Sequence, residues 1–128
     1  MTTALITHPD CLGHVTPEGH PEQVARLERI LEALEGKDVI LVKAPLVAED
    51  DLLRVHPKSH VEAIRAASPA SGKVQLDADT WMSPGTLAAA HRAAGGAVRA
   101  VDLVLSGEAD NVFVATRPPG HHAERETT

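Results

Sequence analysis

The chain has 128 residues, enough for one domain or part of one, and its formal charge of −6 argues against a nucleic-acid surface, which needs clustered Lys and Arg. Aromatic residues make up only 2% of the sequence and tyrosine is absent, so a core must rest on aliphatic side chains and alanine. The single cysteine, Cys11, excludes an internal disulfide and suits a reducing cytoplasm.

The first half of the chain alternates short apolar runs with amphipathic segments. Residues 4–7 predict a buried strand, and a loop rich in Gly and Pro follows it. Apolar residues at helical spacing then predict a helix that begins at Pro21 and ends at Gly36. A second strand is predicted over 39–42, a brief helix from Glu49, and another helix from Pro57.

The second half is predicted to contain a loop, a long helix and a third strand. The loop covers 68–82, and Ser83-Pro84 reads as the cap and first turn of an alanine-rich helix that reaches about Leu105. We expect the glycine pair at 95–96 to allow a close approach to another backbone. The third strand is predicted over 111–116. The side of the helix expected to face the core carries Leu87, Ala94, Val98, Val101 and Leu105.

This order of elements predicts an α/β fold in which residues 1–128 form one unit. Strands separated by helices favour a parallel sheet, because parallel neighbours need crossover connections. Ligands of such sheets bind beyond the carboxyl ends of the strands. The loops after the first and third strands therefore mark the predicted site. We find no signal peptide and no run near the roughly 20 apolar residues of a membrane helix, and we expect a cytoplasmic protein without membrane contact.

Two pairs of candidate ligands are interpreted as structural. His56 and His60 have helical spacing, but Pro57 is expected to begin the helix and leave His56 outside it as a cap. Asp77 and Asp79 precede a helix, where aspartates are typical of turns and caps.

A third group, Cys11, His14 and His20, has the residue types that bind zinc. Structural zinc sites usually show tighter paired spacings and four ligands, so we favour a loop whose histidines cap the following helix and line a groove. A small metal-binding module remains the third interpretation.

The paired histidines His121 and His122 follow the third strand on a loop stiffened by Pro118 and Pro119. Gly120 lets the chain approach a substrate closely. Two adjacent imidazoles suit acid–base catalysis near neutral pH, although an exposed loop that happens to carry two histidines fits equally well. Spacing alone makes Arg26 a surface residue in an exposed ion pair.

The string RPPGHHAE after an apolar strand closely resembles the active-site signature of the zinc-dependent histone deacetylase family, which includes acetylpolyamine amidohydrolases and acetoin-utilisation proteins. GHPEQVARLERI resembles the first-helix motif of that family, and DADTWMSPGTLAAAHRAAGGAV resembles the long helix that precedes the signature. The resemblance covers essentially the whole chain. It implies a three-layer α/β/α sandwich with a mostly parallel, arginase-like sheet.

The resemblance also implies hydrolysis of the acetamide of an acetylated lysine or polyamine, with zinc activating a water. It makes His122 the general base and His121 its electrostatic partner. Arg26 matches an arginine that lines the channel behind the acetyl pocket. His20 and Pro21 would lie near the substrate-entry rim, beside the loop that carries Gly120.

The family's zinc ligands and its oxyanion-stabilising tyrosine lie downstream of the paired histidines, and this chain has no tyrosine. We therefore expect an N-terminal part of a deacetylase domain that binds no metal and is inactive alone. The alternative is a non-catalytic binding or assembly protein on the same fold. In the family the third strand lies inside the sheet, so we expect its outer edge to be unpaired in this chain and predict self-association.

Overall fold

The computed structural model describes residues 1–128, which form a three-stranded sheet, a small hairpin and four α-helices. The strands are β1 (Thr3–Thr7), β2 (Ile40–Lys43), β3 (Val74–Gln75), β4 (Trp81–Met82) and β5 (Asn111–Val114). The helices are α1 (Val24–Leu34), α2 (Glu49–Leu53), α3 (Lys58–Ala67) and α4 (Thr86–Leu105), with a 3-10 turn at Pro9–Gly13. None of these helices combines the length and the apolar character needed to cross a bilayer.

The main sheet has the order β2-β1-β5, and both pairings are parallel. The predicted parallel sheet is therefore confirmed. Leu5 at the centre of β1 lies opposite Leu41 of β2 and Phe113 of β5. Because all three strands run the same way, the loops after β1 and β5 emerge at the same edge of the sheet, as the sequence predicted.

Helices cover both faces of the sheet because side chains of β1 alternate between two apolar clusters. Ala4 and Ile6 pack with Leu103 of α4 on one face. Leu5 packs with Cys11 and Leu27 on the other, the face covered by α1. Two helical layers around one parallel sheet confirm the predicted α/β/α sandwich.

Three predicted boundaries are wrong by a few residues. The first helix begins at Val24 rather than Pro21, because residue 23 is still extended (φ −145°, ψ 160°). The long helix begins at Thr86, since the Ser83 hydroxyl donates to the Gly13 carbonyl at 3.1 Å instead of capping the helix. Pro57 precedes α3 as its N-terminal cap, which does leave His56 outside the helix.

The predicted loop over 68–82 contains the antiparallel hairpin β3–β4. Its turn is built by Asp77, whose carboxylate accepts hydrogen bonds from the backbone N–H groups of Asp79 and Thr80, both at 3.0 Å. The backbone N–H of Asp79 and the Thr128 hydroxyl lower the pKa of Asp77. The turn interpretation of this aspartate is confirmed.

The predicted core face of α4 is wrong. Val101 is 57% exposed and Leu105 is 81% exposed, whereas the residues that are buried include Ala89, Gly96 and Leu103. The helix packs through its small residues because it lies very close to the sheet and to the segment after β2.

Gly95 shows how close that approach is, and the expected backbone contact is confirmed. A Cβ atom at this position would lie 2.1 Å from the Pro45 carbonyl oxygen and 2.7 Å from the Val47 nitrogen. The Val47 N–H also donates to the His91 carbonyl at 3.0 Å, which fixes the two segments against each other.

Replacing Gly95 by alanine is therefore expected to lower the free energy of unfolding by about 1–3 kcal/mol, because the added methyl overpacks rigid backbone atoms. Urea denaturation measures the change. Gly120→Ala is the matched control, since a Cβ there would meet no atom within 4 Å. Equal stability of the two variants would contradict the close approach.

Candidate active site

One cavity of about 690 Å³ brings together all of the site residues that the sequence predicted. It opens at the carboxyl edge of the sheet, between the loop after β5, the start of α1 and the β3–β4 hairpin. Its walls include His20, Pro21, Arg26, Gly120, His121 and His122. Residues about 100 positions apart in the sequence thus share one concave surface.

His121 and His122 lie side by side on the wall of this cavity. Their ring centroids are 4.1 Å apart and the ring planes are tilted by 49°. Both side chains are exposed. The two imidazoles are therefore close enough to act on the same ligand in the cavity.

The His20 ring is fixed in one tautomer on the opposite wall. Its Nε2 donates to the Asp79 carbonyl at 3.1 Å, and its Nδ1 accepts the backbone N–H of Glu22 at 3.1 Å. The first bond ties the loop before α1 to the turn of the hairpin. Pro21, the next residue, is exposed on the same wall of the cavity.

Arg26 was interpreted from spacing as a surface residue in an ion pair, and from the family resemblance as an arginine that lines a channel. Its side chain is 58% exposed and lies 3.6 Å from the Glu22 carboxylate, an ion pair between residues four positions apart. It also lines the cavity that contains the paired histidines. The guanidinium is therefore accessible to a ligand in that cavity.

Sequence reasoning missed a buried network beneath the cavity, centred on Arg117. This arginine is 2% exposed and binds the Glu22 carboxylate with two parallel hydrogen bonds, from Nε at 3.0 Å and from Nη2 at 2.8 Å. Its Nη1 donates to the carbonyls of Cys11 and His14. The only local signal was a charged residue directly after an apolar strand, and nothing in the sequence pointed to Glu22 as its partner.

His14 joins this network from the other side. Its Nε2 lies 3.5 Å from Glu22, and its Nδ1 lies 2.8 Å from the Thr86 hydroxyl at the start of α4. Burial and the positive charge of Arg117 lower the pKa of His14, with Glu22 opposing them and His20 adding to them.

Stability is expected to fall as the pH drops from 7 towards 5. Since the folded-state pKa of His14 lies below the unfolded value of 6.5, the unfolded chain binds the proton more readily. The stabilisation is complete above that value and is lost as the pH falls through the folded-state pKa. His91 has a pKa lowered by burial and contributes in the same direction.

Urea midpoints measured between pH 5 and 7.5 test this dependence. His14→Gln is expected to flatten it, and His91→Gln to remove a second share of it. A His14→Gln variant with the full slope of the wild type would contradict the assignment to His14.

The metal-module interpretation of Cys11, His14 and His20 finds no support in the geometry. Cys11 is fully buried in the apolar cluster beneath α1, and burial raises the pKa of its thiol. His14 and His20 have the separate partners described above. No group of three or more His, Cys, Asp or Glu residues is arranged to hold a metal ion.

His56 and His60 form a second histidine pair on the cavity wall. Their ring centroids are 5.0 Å apart, so the helical spacing does bring them together even though His56 lies outside α3. The Nδ1 of His56 donates to the Arg125 carbonyl at 2.9 Å. This bond anchors the segment that follows the paired histidines, in keeping with a structural role.

The comparisons with known proteins agree on one family. The family model described as the histone deacetylase domain matches residues 20–128. A histone deacetylase-like amidohydrolase of Pseudomonas aeruginosa is 40% identical over 116 residues, which cover 89% of this chain and 29% of that protein. A probable deacetylase of Archaeoglobus fulgidus is 34% identical, over 97% of this chain and 36% of that protein.

The solved structure of the HDA15 HD domain superposes with a TM-score of 0.91 and 26% identity, over 99% of this chain and 38% of that one. This match confirms the predicted deacetylase fold. The chain spans about a third of the length of these relatives.

Proposed function

Because this chain belongs to the histone deacetylase family, we propose that it supplies the proton-transfer half of a zinc-dependent deacetylase site. The substrate class would be the acetamide of an acetylated lysine or polyamine. The observation that carries the proposal is the pair of adjacent rings of His121 and His122, whose centroids are 4.1 Å apart. They lie on the wall of a cavity that Arg26 also lines.

In this proposal His122 takes the proton from the attacking water and later returns it to the leaving amine. His121, beside it, is the electrostatic partner of His122. Arg26 would line the channel behind the acyl group, where its charge would favour the carboxylate product. His20 and Pro21 form the rim, and Gly120 lets the backbone approach the acyl group.

Zinc is the metal that the family resemblance implies, and the residues of this chain do not fit it. The cavity is lined by side chains of metal-binding types, and no three of them form a group that could hold an ion. They are His14, His20, Glu22, His56, His60, Asp79, His121 and His122. In the proposed reaction these 128 residues bind no metal, and the zinc ligands belong to residues outside this sequence.

Release of acetate tests the proposal. The 128-residue chain and the longest reading frame that contains it would each be supplied with zinc and given acetyl-lysine peptide or acetylpolyamine. We expect the longer frame to hydrolyse one of these substrates and the 128 residues alone to be inert. An inert longer frame would refute the deacetylase function, and turnover by the 128 residues alone would refute the placement of the zinc ligands.

A non-catalytic assembly role is the second candidate, because both edges of the sheet expose apolar side chains. Phe113 on β5 is half-exposed, and Leu41 on β2 is largely exposed. Unpaired apolar edges recruit other chains. In this candidate the chain forms dimers or larger assemblies through the outer edge of β5.

Sedimentation velocity at rising protein concentration measures this association. Phe113→Lys is expected to shift the protein towards monomer, because a charge on an edge strand opposes pairing. Leu41→Lys, on the opposite edge, is the matched control and should leave the β5 contact intact. A wild-type monomer at all concentrations would contradict the candidate.

A further inference from the structure

Resting on the proposed function, we infer that the buried Arg117–Glu22 pair positions His121 and His122. It holds them at a fixed distance from the wall of the site at the start of α1. Arg117 itself does not line the cavity, although its partners Glu22 and His14 do, and it is not a catalytic residue. It stands four positions before His121, between the end of β5 at Val114 and residues 118–122, the histidine loop.

Apart from the bond between His56 and the Arg125 carbonyl, three residues after His122, the histidine loop has few other attachments. The backbone N–H of Ala115 donates to the Ile6 carbonyl at 2.8 Å, and the next backbone bond is that of Ala123 to the Gly120 carbonyl at 3.0 Å. Between them, no backbone N–H of residues 116–122 donates to another backbone carbonyl. The segment 118–120 also lines two cavities, the candidate site and a second one of about 480 Å³. Part of its surface is therefore not packed against other residues.

The Arg117 side chain supplies the missing attachment. All three guanidinium nitrogens are used, two on the Glu22 carboxylate and one on the carbonyls of Cys11 and His14. Two parallel hydrogen bonds between planar groups fix orientation as well as distance, which a lysine could not do.

Glu22 in turn belongs to the opposite wall of the site. Its N–H fixes the His20 ring, its carbonyl accepts the Thr16 hydroxyl at 2.6 Å, and its carboxylate lies 3.6 Å from Arg26. Glu22 thus connects Arg117 and Arg26 through its carboxylate, and His20 through its backbone N–H. The separation between His122 and Arg26 is set through this pair.

The order of the loop can be measured without substrate. Backbone ¹⁵N relaxation of Gly120, His121 and His122 would be compared in the wild type, Arg117→Gln and Arg117→Lys. In the wild type we expect order parameters of about 0.85, and in both variants values below about 0.6. Arg125→Gln, which removes an exposed arginine from the same segment, is the control and should leave them unchanged.

Arg117→Lys keeps the buried charge, so it keeps the inference testable if Arg117→Gln does not fold. A folded Arg117→Lys protein with wild-type order parameters would overturn the inference, and so would a mobile loop in the wild type. Loss of order in Arg125→Gln equal to that in Arg117→Lys would overturn it as well.

The effect on catalysis is measured as kcat and KM in the longer protein that is expected to be active. Arg117→Lys is expected to lower kcat about 100-fold with little change in KM, since displaced catalytic groups lose rate rather than binding. An unchanged kcat in a protein with a mobile loop would refute the positioning role. If His122→Ala is also fully active, the proposed function has failed, whereas the anchoring of the loop stands on the relaxation data alone.

Discussion

Replacing Arg117 by alanine is expected to lower the free energy of unfolding by about 3–5 kcal/mol, the usual cost of removing one partner of a buried ion pair. The substitution leaves the Glu22 carboxylate and the carbonyls of Cys11 and His14 without their donor beneath the cavity. Denaturation by guanidinium chloride at pH 7 measures the loss.

Two comparisons separate the buried pair from a general effect of losing an arginine. Arg29, which is 80% exposed and pairs with Glu32 at 2.7 Å, is the control, and Arg29→Ala should cost about 1 kcal/mol or less. The double variant Arg117→Met with Glu22→Leu should recover much of the loss, because it leaves no uncompensated charge. A cost for Arg117→Ala no larger than that for Arg29→Ala would contradict the buried network.

Replacing His122 by alanine is expected to lower kcat for acetate release by about 100- to 10,000-fold in the active enzyme, the range typical of a lost general base. KM should change little, because in the proposed role the ring acts on the water and does not hold the substrate. His121→Ala should have a smaller effect on kcat, since the proposal gives His121 only an electrostatic role beside His122.

His60→Ala is the matched control for this prediction. His60 lies on the wall of the same cavity and has its own histidine neighbour at 5.0 Å, so it tests whether any histidine pair there would do. We expect a much smaller loss of kcat than in His122→Ala. Equal losses would mean that the effect belongs to the cavity and not to the paired rings.

The fold was predictable where the signal was local. Three short apolar runs gave the strands of the sheet in order, because a strand covered on both faces needs an unbroken apolar stretch. The glycine at position 95 was likewise expected against another backbone, and Pro45 is what it meets. Both inferences used only the residues of the element concerned.

The buried face of α4 was not predictable in this way. Apolar periodicity assigned the core to the larger side chains, such as Val101 and Leu105, which the structure exposes. The helix instead buries Ala89 and Gly96, since close packing on the sheet admits only small groups. Whether a helix buries its large side chains or its small ones depends on how closely its partner approaches, and the sequence of the helix does not contain that information.

The site residues show the same difference between local and long-range signals. His121 and His122 were found because a short string carries both the rings and the stiff turn that presents them. The Arg117–Glu22 pair spans 95 positions, so no local pattern could join the two residues. Spacing assigned Arg26 to the surface and the family resemblance assigned it to a channel, whereas the structure has a half-exposed side chain on the cavity wall.

Rescue of His122→Ala by free imidazole tests the central claim, that His122 moves the proton in amide hydrolysis, most directly. Acetate release by the active enzyme would be measured at rising imidazole concentration, with His60→Ala treated in parallel. The proposed role predicts a nearly inactive His122→Ala protein whose rate rises with imidazole, and no such rise in His60→Ala. A His122→Ala protein as active as the wild type would contradict it.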